Sequence, residues 1–323
     1  MRKLISVLSV TLLAVLALPA AAATKITLGS GNGAKDLGNE AMVRWADALD
    51  KASGGDLKMD VIVGGTLGGD KEMLQQLSSN EIQVHIAGPV VVHFLAQAYQ
   101  CMEAEYVFDN QEQGLKIWRG PLGKEVSQVL ESKYGVMIVG VGKRGARDLT
   151  SNKPIKVPDD LKGVKVRVTN KLRAEIFKAY GALPASVPID ELYGALRQGV
   201  VDAQENPIPT IFGNKFYEVQ KYIDLTGHVQ SYYVVTANKK FLDGLNAGQR
   251  KVFDRTLSES IEWLDQTVDN DTKSLLEKME KAGVTVVRSD VAAFRKIAEP
   301  IVKAYAEKNC RPNLLDDINK LTR

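Results

Sequence analysis

Arg167 is the side chain best suited to binding chemistry in this sequence, and it lies in a segment that runs from Gly163 to His228. It stands near the end of the short apolar stretch GVKVRV, and an apolar helix and an Asn206-Pro207 turn follow it. A planar guanidinium donates two parallel hydrogen bonds to one carboxylate, which a lysine cannot reproduce. The pattern therefore predicts a capture site for a small carboxylate. Composition alone favours a surface arginine on an edge strand, because most arginines are exposed.

Other polar residues near this segment carry weaker signals. Arg144 and Arg147 are ambiguous in the same way as Arg167. Asn206 precedes a proline and fits a plain turn as well as a ligand contact. The residues alone leave both interpretations open.

Motifs for catalysis or metal binding are absent from the sequence. There is no G-x-S-x-G elbow, no Cys-x-x-Cys and no His-Glu-x-x-His, and the three histidines have no obvious Ser or Cys partner. The glutamates are scattered, and nothing points specifically to a paired-carboxylate glycosidase. We expect no catalytic residue, no metal site and no cofactor.

One loop resembles a dinucleotide-binding fingerprint in its loosest form. Residues 29–34 read GSGNGA, which fits G-x-G-x-x-A between a strand and a helix. The acidic residue expected about 20 positions further on is missing, because the second strand ends with VIVGG. We interpret the loop, which includes Asn32, as a flexible polar segment at a strand end, where open α/β sheets bind ligands.

The elements that position these residues follow an α/β order. Alternating strands and helices predict a parallel or mixed sheet covered by helices. The first half is predicted to contain strands at 25–29, 58–63, 82–87 and 136–141, a helix at 39–52, a helix at 70–79 capped by Asp70, and helical structure at 111–134. The second half is predicted to contain strands at 164–168, 200–203 and 232–236 and helices at 172–180 and 189–197.

Two lobes are the default for a chain of this length. The polar, Pro-containing stretch from Arg144 to Gly163 suits a crossing between them. We predict a first lobe from 24–144 plus 232–270 and a second lobe from 145–231 plus 271–323. Helical periodicity from Ala247 to Ala282 predicts one long helix spanning both lobes. The alternative is two helices broken near Asp269.

The N-terminus predicts export. A basic start, the apolar run from Leu4 to Leu18 and small residues up to Ala23 form a signal peptide with cleavage near Ala23. Formal net charge is only +3 without long blocks of one sign, which argues against nucleic acid or an anionic membrane surface as partner. Cys101 and Cys310 are either one disulfide or two buried thiols, because the sequence cannot test their geometry.

Several long segments, in the right order, resemble one family over nearly the whole mature chain. GGTLGGDKEMLQQL from Gly64 resembles the family's LGGDREMLEQL-type segment, and GARDLTSNKPIKVPDDLKGVKVRV from Gly145 resembles GFRQITNSKRPIxxPEDLKGLKIRV. GVVDAQENP from Gly199 resembles GxVDGQENP, and KFYEVQKYIDLTGH from Lys215 is nearly the family consensus. The chain thus resembles the extracytoplasmic solute-binding proteins of tripartite ATP-independent periplasmic (TRAP) transporters, the DctP-like family.

This resemblance implies a two-lobed periplasmic-binding-protein-like α/β fold that closes on one ligand in a cleft. It implies that Arg167 holds the ligand carboxylate, that Arg147 is a second ligand arginine, and that Asn206 bonds the carboxylate or a neighbouring group. Tyr232 and Asn32 align approximately with positions that line the cleft. The implied protein is a periplasmic monomer, not an enzyme, that delivers a small organic acid to a TRAP membrane permease driven by an ion gradient.

Some features depart from the family pattern and leave the ligand open. Thr169 replaces a proline after the RV pair, Ala203 replaces a glycine, and Ile189 stands where many members have Phe. The polar first loop favours a hydroxylated or sugar acid. An exported enzyme acting on a similar carboxylate, or a binding protein that feeds a sensor receptor, remain the alternatives.

Overall fold

The computed structural model describes residues 23–322. The predicted signal peptide lies almost entirely outside these described residues. Among them, no helix is both long enough and apolar enough to cross a membrane.

Within residues 23–322 the strands form one continuous nine-stranded sheet. The strands are β1 (Thr24–Gly29), β2 (Leu57–Ile62), β3 (Val84–Ala87), β4 (Val136–Ser151), β5 (Lys165–Arg167), β6 (Leu183–Ala185), β7 (Ala203–Pro207), β8 (Tyr222–Asn238) and β9 (Thr285–Arg288). The order is β2-β1-β3-β8-β4-β7-β5-β6, with β9 paired to β8. β1 runs parallel to β2 and β3 in the first lobe, and β5 runs parallel to β6 and β7 in the second.

Helices cover the sheet on both sides. They are α1 (Leu37–Ser53), α2 (Asp70–Ser79), α3 (Val90–Phe94), α4 (Gln111–Trp118), α5 (Pro121–Tyr134), α6 (Lys171–Ala179), α7 (Ile189–Arg197), α8 (Ile208–Gly213), α9 (Lys239–Gly244), α10 (Ala247–Lys281), α11 (Val291–Asn309) and α12 (Leu314–Thr322). Short 3₁₀ helices occupy Gln97–Glu103, Pro158–Leu161 and Phe216–Glu218. The predicted α/β class is confirmed.

The two longest strands, β4 and β8, pair antiparallel and run through both lobes. Their register shifts between Lys143 and Gly145, where Gly145 has φ of 102°. The predicted strands at 136–141 and 232–236 were therefore too short. The stretch predicted as a polar connection continues as β4 to Ser151, because it pairs with β7 and β8, and its polar side chains from Arg144 to Ser151 are buried.

Other boundaries also differ from the predictions. The helical stretch at 111–134 is two helices. The first ends at Trp118 with Arg119 as its C-cap, and the second begins at Pro121 with Gly120 as its N-cap. The strand predicted at 200–203 lies at Ala203–Pro207. Asp70 is the first residue of α2 rather than its cap, which is Gly69 without a side-chain hydrogen bond.

The long helix α10 is continuous over 35 residues, as predicted, without a break near Asp269. A capping box between Asn246 and Gln249 begins it. It packs on α1 and β4 and reaches α8, so it contacts elements of both lobes. This helix therefore packs against the sheet and connects the two lobes.

The C-terminal segment contacts elements of both predicted lobes, since α11 packs on α6 of the predicted second lobe. Cys101 and Cys310 form a disulfide, with their Cα atoms 6.3 Å apart. α12 packs on α4 and on the 3₁₀ helix that carries Cys101. These residues belong to the predicted first lobe, so the last helix packs on that lobe.

Candidate functional site

A cavity of about 250 Å³ lies between the lobes. It opens at the carboxyl ends of β3, β5 and β7, where open α/β sheets place ligands. Its polar lining comprises Asn32, Asp70, Lys71, Glu72, His93, Glu103, Arg144, Arg147, Arg167, Thr169, Ser186 and Asn206. Four of the five residues predicted to contact the ligand therefore line one space.

Arg167 ends β5 at the cavity wall and is only 6% exposed. Its Nε donates to the carbonyl oxygen of Val187 at 2.8 Å, which fixes the plane of the guanidinium. Its Nη1 is buried and has no hydrogen-bond partner in the described part of the chain. Burial lowers the pKa of Arg167 to about 10, which expresses the cost of an incompletely paired cation away from water. An anion in the cavity would offset that cost.

Arg147 is held by Glu205 on the neighbouring strand β7. Its Nε donates to the Glu205 carboxylate, and its Nη2 donates to the Glu205 carbonyl oxygen at 2.5 Å. Burial would raise the pKa of Glu205, but Arg147 and Arg173 outweigh burial and hold that pKa well below its usual range. Glu205 is thus a buried carboxylate anion that fixes the orientation of Arg147.

Asn206 is held at the cavity by hydrogen bonds with Arg147 and Gln204. Its Oδ1 accepts from Arg147 Nη2 at 3.1 Å, and its Nδ2 donates to Gln204 at 2.6 Å. This arrangement leaves the second hydrogen of the Asn206 Nδ2 group available to a ligand. Asn32 lies across the cavity, 4% exposed, on a loop that Asn39 fastens by donating to its carbonyl oxygen at 2.9 Å.

Arg144 is a third cavity arginine that the predictions left ambiguous. Its Nε donates to Thr210 at 3.2 Å, and its guanidinium lies 5.1 Å from the ring centre of Tyr233. Simple alternation would put Arg144 and Arg147 on opposite faces of a strand. The bulge at Gly145 inserts one residue and brings both to the cavity. The spacing of these arginines around a glycine was the available signal.

Tyr232 does not line the cavity, which corrects its approximate alignment with the cleft. Its hydroxyl donates to the carbonyl oxygen of Gln111 at 3.0 Å, and its ring meets Phe108 edge to face. The next residue, Tyr233, faces the other side of β8 and contacts Arg144. Side chains alternate along a strand, so an offset of one residue moves the tyrosine to the wrong face.

Carboxyl groups lie on the first-lobe side of the cavity. Asp70 is 3.2 Å from His85 Nε2, and Glu72 is exposed at the mouth. Such oxygens accept hydrogen bonds from hydroxyl groups and repel a second anionic group. Among residues 23–322, no cluster of three or more His, Cys, Asp or Glu side chains is arranged to hold a metal ion.

Comparisons with known proteins show what this chain is similar to. Residues 28–309 match the family described as Bacterial extracellular solute-binding protein, family 7. The 2,3-diketo-L-gulonate-binding periplasmic protein YiaO of Escherichia coli is 29% identical over 268 residues, which cover 82% of this chain and 81% of that protein.

Two solved structures have the same fold over nearly their whole length. A TRAP periplasmic solute-binding protein from Ochrobacterium anthropi, with bound L-fuconate, superposes with a TM-score of 0.87 at 29% identity and covers 94% of this chain and 100% of its own. The sugar acid binding protein from Advenella mimigardefordensis, in complex with galactonate, gives 0.88 at 26% identity, covering 93% and 98%. The predicted two-lobed binding-protein fold is confirmed.

Proposed function

Because the chain belongs to family 7 of the bacterial extracellular solute-binding proteins, we propose that it captures a small organic acid for a TRAP transporter and releases it unchanged. Arg167 carries this proposal. Its buried Nη1 has no partner among residues 23–322, so the cavity has an unsatisfied cationic donor aligned by Val187. A ligand carboxylate satisfies it with a charge-assisted hydrogen bond.

Three arginines at one cavity favour an anionic ligand over a neutral one. Glu205 already neutralises Arg147, whereas Arg167 has only a backbone carbonyl as hydrogen-bond partner. Arg144 bonds a hydroxyl and contacts an aromatic ring. The cavity therefore has excess positive charge on the second-lobe side, where the carboxylate binds.

The ligand is a hydroxylated monocarboxylic acid of the sugar-acid class. Asn32 and Asp70 lie opposite the arginines and offer acceptors for hydroxyl groups. The similar proteins named above bind L-fuconate, galactonate and 2,3-diketo-L-gulonate. These compounds combine one carboxylate with a chain of oxygen substituents.

Release requires that the lobes open and close around the ligand. The acid shifts that equilibrium only through contacts that are better in the closed state. The protein acts as a monomer in the periplasm after cleavage near Ala23, and the closed form docks on the membrane permease. The ligand stays chemically intact throughout.

A thermal-shift screen followed by calorimetry tests this function. Purified mature protein is screened against sugar acids, C4-dicarboxylates, 2-oxo acids and aromatic acids, because a ligand that binds only the folded state raises the melting temperature. The sugar acids should give the largest shifts, and Arg167→Ala should abolish them. Unchanged acid after prolonged incubation supports binding without turnover. No shift with any acid would reject the proposal.

A further inference from the structure

Glu103 is a buried acid at the cavity with no role in the contacts described so far. It ends the 3₁₀ helix Gln97–Glu103, is 2% exposed and lines the cavity beside the arginines. Within the described residues, its Oε1 has no hydrogen-bond partner. Its backbone carbonyl, rather than its carboxyl, accepts from Arg173 at 2.9 Å. A buried polar atom without a partner is costly, so a ligand atom is its natural complement.

The groups around Glu103 are already committed to other partners. Arg173 on α6 pairs with Glu105 at 3.0 Å and with Glu205 at 3.6 Å, and Arg147 on β4 pairs with Glu205. Tyr232 on β8 bonds a backbone carbonyl. Arg144 on β4 and Arg167 on β5 are cations at the cavity without a carboxylate in hydrogen-bond contact. Neither of them forms a salt bridge with Glu103, so Glu103 has no ion-pair partner among residues 23–322.

The remaining neighbour, His93 on α3, cannot supply that missing cation. Asn170 uses its Oδ1 to accept from the Arg173 backbone, so its Nδ2 faces His93 Nε2 at 3.2 Å and donates to it. His93 is therefore neutral with its hydrogen on Nδ1, in line with burial lowering the pKa of His93 to about 3.

We propose that Glu103 is a ligand-contacting acid that carries a proton when the organic anion is bound, so that the cavity takes up a proton together with its ligand. The proton comes from solvent and resides on the Glu103 carboxyl, which donates it in a hydrogen bond to a ligand oxygen. An ionised Glu103 could only accept, and it would repel the incoming carboxylate in a dry cavity. This inference rests on the proposed function and adds a recognition residue to it.

The size of the pH dependence of binding follows from the protonation state of Glu103 before the ligand binds. Burial raises its pKa to about 7, although Arg173, Arg147 and Arg144 oppose the rise. A bound anion raises it further, so protons are taken up at pH values near and above 7. If only the protonated form binds, affinity scales with the protonated fraction and is about tenfold weaker at pH 8 than at pH 6. At pH 7 the uptake is about half a proton.

Titration calorimetry with L-galactonate and L-fuconate measures this uptake directly. The apparent binding enthalpy is compared at pH 7 in phosphate, imidazole and Tris, whose ionisation enthalpies differ, and affinities are compared at pH 6 and pH 8. Wild-type protein should show the proton uptake and the tenfold loss. Glu103→Gln should bind with nearly the pH 6 affinity of the wild type at both pH values and without uptake, because its amide remains a donor. The exposed Glu81→Gln should behave as wild type.

The outcomes separate this inference from the proposed function. Binding by the wild type without buffer-dependent enthalpy overturns the role of Glu103 and leaves the solute-binding function standing, and this test needs no variant to fold. Uptake that persists in Glu103→Gln assigns the proton elsewhere, such as to Asp148, and also overturns it. Absence of binding by any acid of the screen rejects the proposed function and this inference with it.

Discussion

Arg147 donates hydrogen bonds to both the carboxylate and the backbone carbonyl of Glu205. Both side chains are at most 2% exposed, so the pair is desolvated. Arg173 approaches the second carboxylate oxygen at 3.6 Å, and His228 lies 3.2 Å from the first. One carboxylate thus organises two arginines behind the cavity, and the direction of the Arg147 guanidinium depends on it.

Glu205→Gln should strongly destabilise the protein. It removes the anion that compensates two buried guanidinium groups, which costs on the order of 3–5 kcal/mol when one member of a buried pair is lost. The free energy of unfolding, measured by urea denaturation at pH 7, should fall by about that amount.

The pH dependence of this difference has a definite sign. The folded-state pKa of Glu205 is depressed, so its contribution is present above the unfolded pKa of about 4.3 and is lost as pH falls through the lower folded value. The wild type and Glu205→Gln should therefore converge in acid. Glu259→Gln, which alters an exposed pair on α10, should cost about 0.5 kcal/mol or less. A Glu205 variant as stable as this control would contradict the assigned role.

Arg167→Ala should weaken binding of the best acid in the screen by on the order of 3–5 kcal/mol, because the ligand carboxylate is left unpaired in a dry cavity. Arg167→Lys should recover only part of that loss, since an ammonium keeps the charge but not the planar two-donor geometry. Calorimetry measures both. Arg250→Ala on the exposed face of α10 serves as control. Equal affinities of the Lys variant and the wild type would exclude a bidentate contact.

The sequence predicted the class of fold and three of the cavity's second-lobe residues, for physical reasons. Hydrophobic periodicity located α1, α7 and α10 because each helix buries one face. Resemblance of long motifs selected Arg147, Arg167 and Asn206. Their roles in binding stay predictions, although the structure brings them together.

Other site residues were not predicted, because the local sequence does not determine which way their side chains point. Arg144 reaches the cavity only through the bulge at Gly145, which breaks strand alternation. Tyr232 and Tyr233 are adjacent, so a one-residue error in the alignment selected Tyr232, which packs in the core, instead of Tyr233, which contacts Arg144. Glu103 lies in a short 3₁₀ helix with no periodic pattern, and long-range packing alone buries it.

Gly33→Ala should weaken ligand binding by about tenfold, which corresponds to roughly 1.4 kcal/mol, without touching the cavity. Gly33 donates its backbone N–H to Asn214 at 2.9 Å across the lobe interface, and a Cβ there would lie 2.8 Å from the carbonyl oxygen of Gly213. The added methyl therefore opposes closure against rigid backbone. Calorimetry gives the affinity, and small-angle X-ray scattering with saturating ligand should show a more open average shape.

The control for this change is Gly194→Ala inside α7. A Cβ at Gly194 meets nothing closer than 4.0 Å, and alanine favours a helix interior by about 0.5–1 kcal/mol over glycine. This variant should be slightly more stable and bind normally. Normal affinity and full compaction of Gly33→Ala would show that the contact does not limit closure.

Reduction of the Cys101–Cys310 disulfide should destabilise the protein substantially. The bridge closes a loop of 209 residues, and the chain-entropy account assigns such a loop a stabilisation of about 5 kcal/mol. The urea midpoint should fall on adding dithiothreitol to the wild type. The double variant Cys101→Ala/Cys310→Ala should already be destabilised and should not respond to the reductant. Mass spectrometry verifies that the disulfide has been reduced. A urea midpoint that does not change after this reduction would contradict the prediction.

Asp148→Asn should stabilise the protein much more at pH 8 than at pH 5. Asp148 is 6% exposed on β4, and its Oδ1 accepts from the Gly227 N–H at 2.9 Å, a contact that the asparagine oxygen can keep. Burial raises the pKa of Asp148 to about 7, well above the unfolded value of about 3.9. Between these values the folded state holds a proton that the unfolded state has released. The stability linked to that proton is therefore complete below pH 4 and lost as pH rises through 7.

The neutral asparagine removes this loss, so the gain of Asp148→Asn over the wild type should grow with pH up to about 7 and be on the order of 2–3 kcal/mol larger at pH 8 than at pH 5. Urea denaturation at pH 5, 6, 7 and 8 measures the difference in unfolding free energy. Asp271→Asn on the exposed side of α10 provides the matched control and should show no such trend. A gain for Asp148→Asn that is the same at pH 5 and pH 8 would mean that the buried carboxyl does not change its charge in this range.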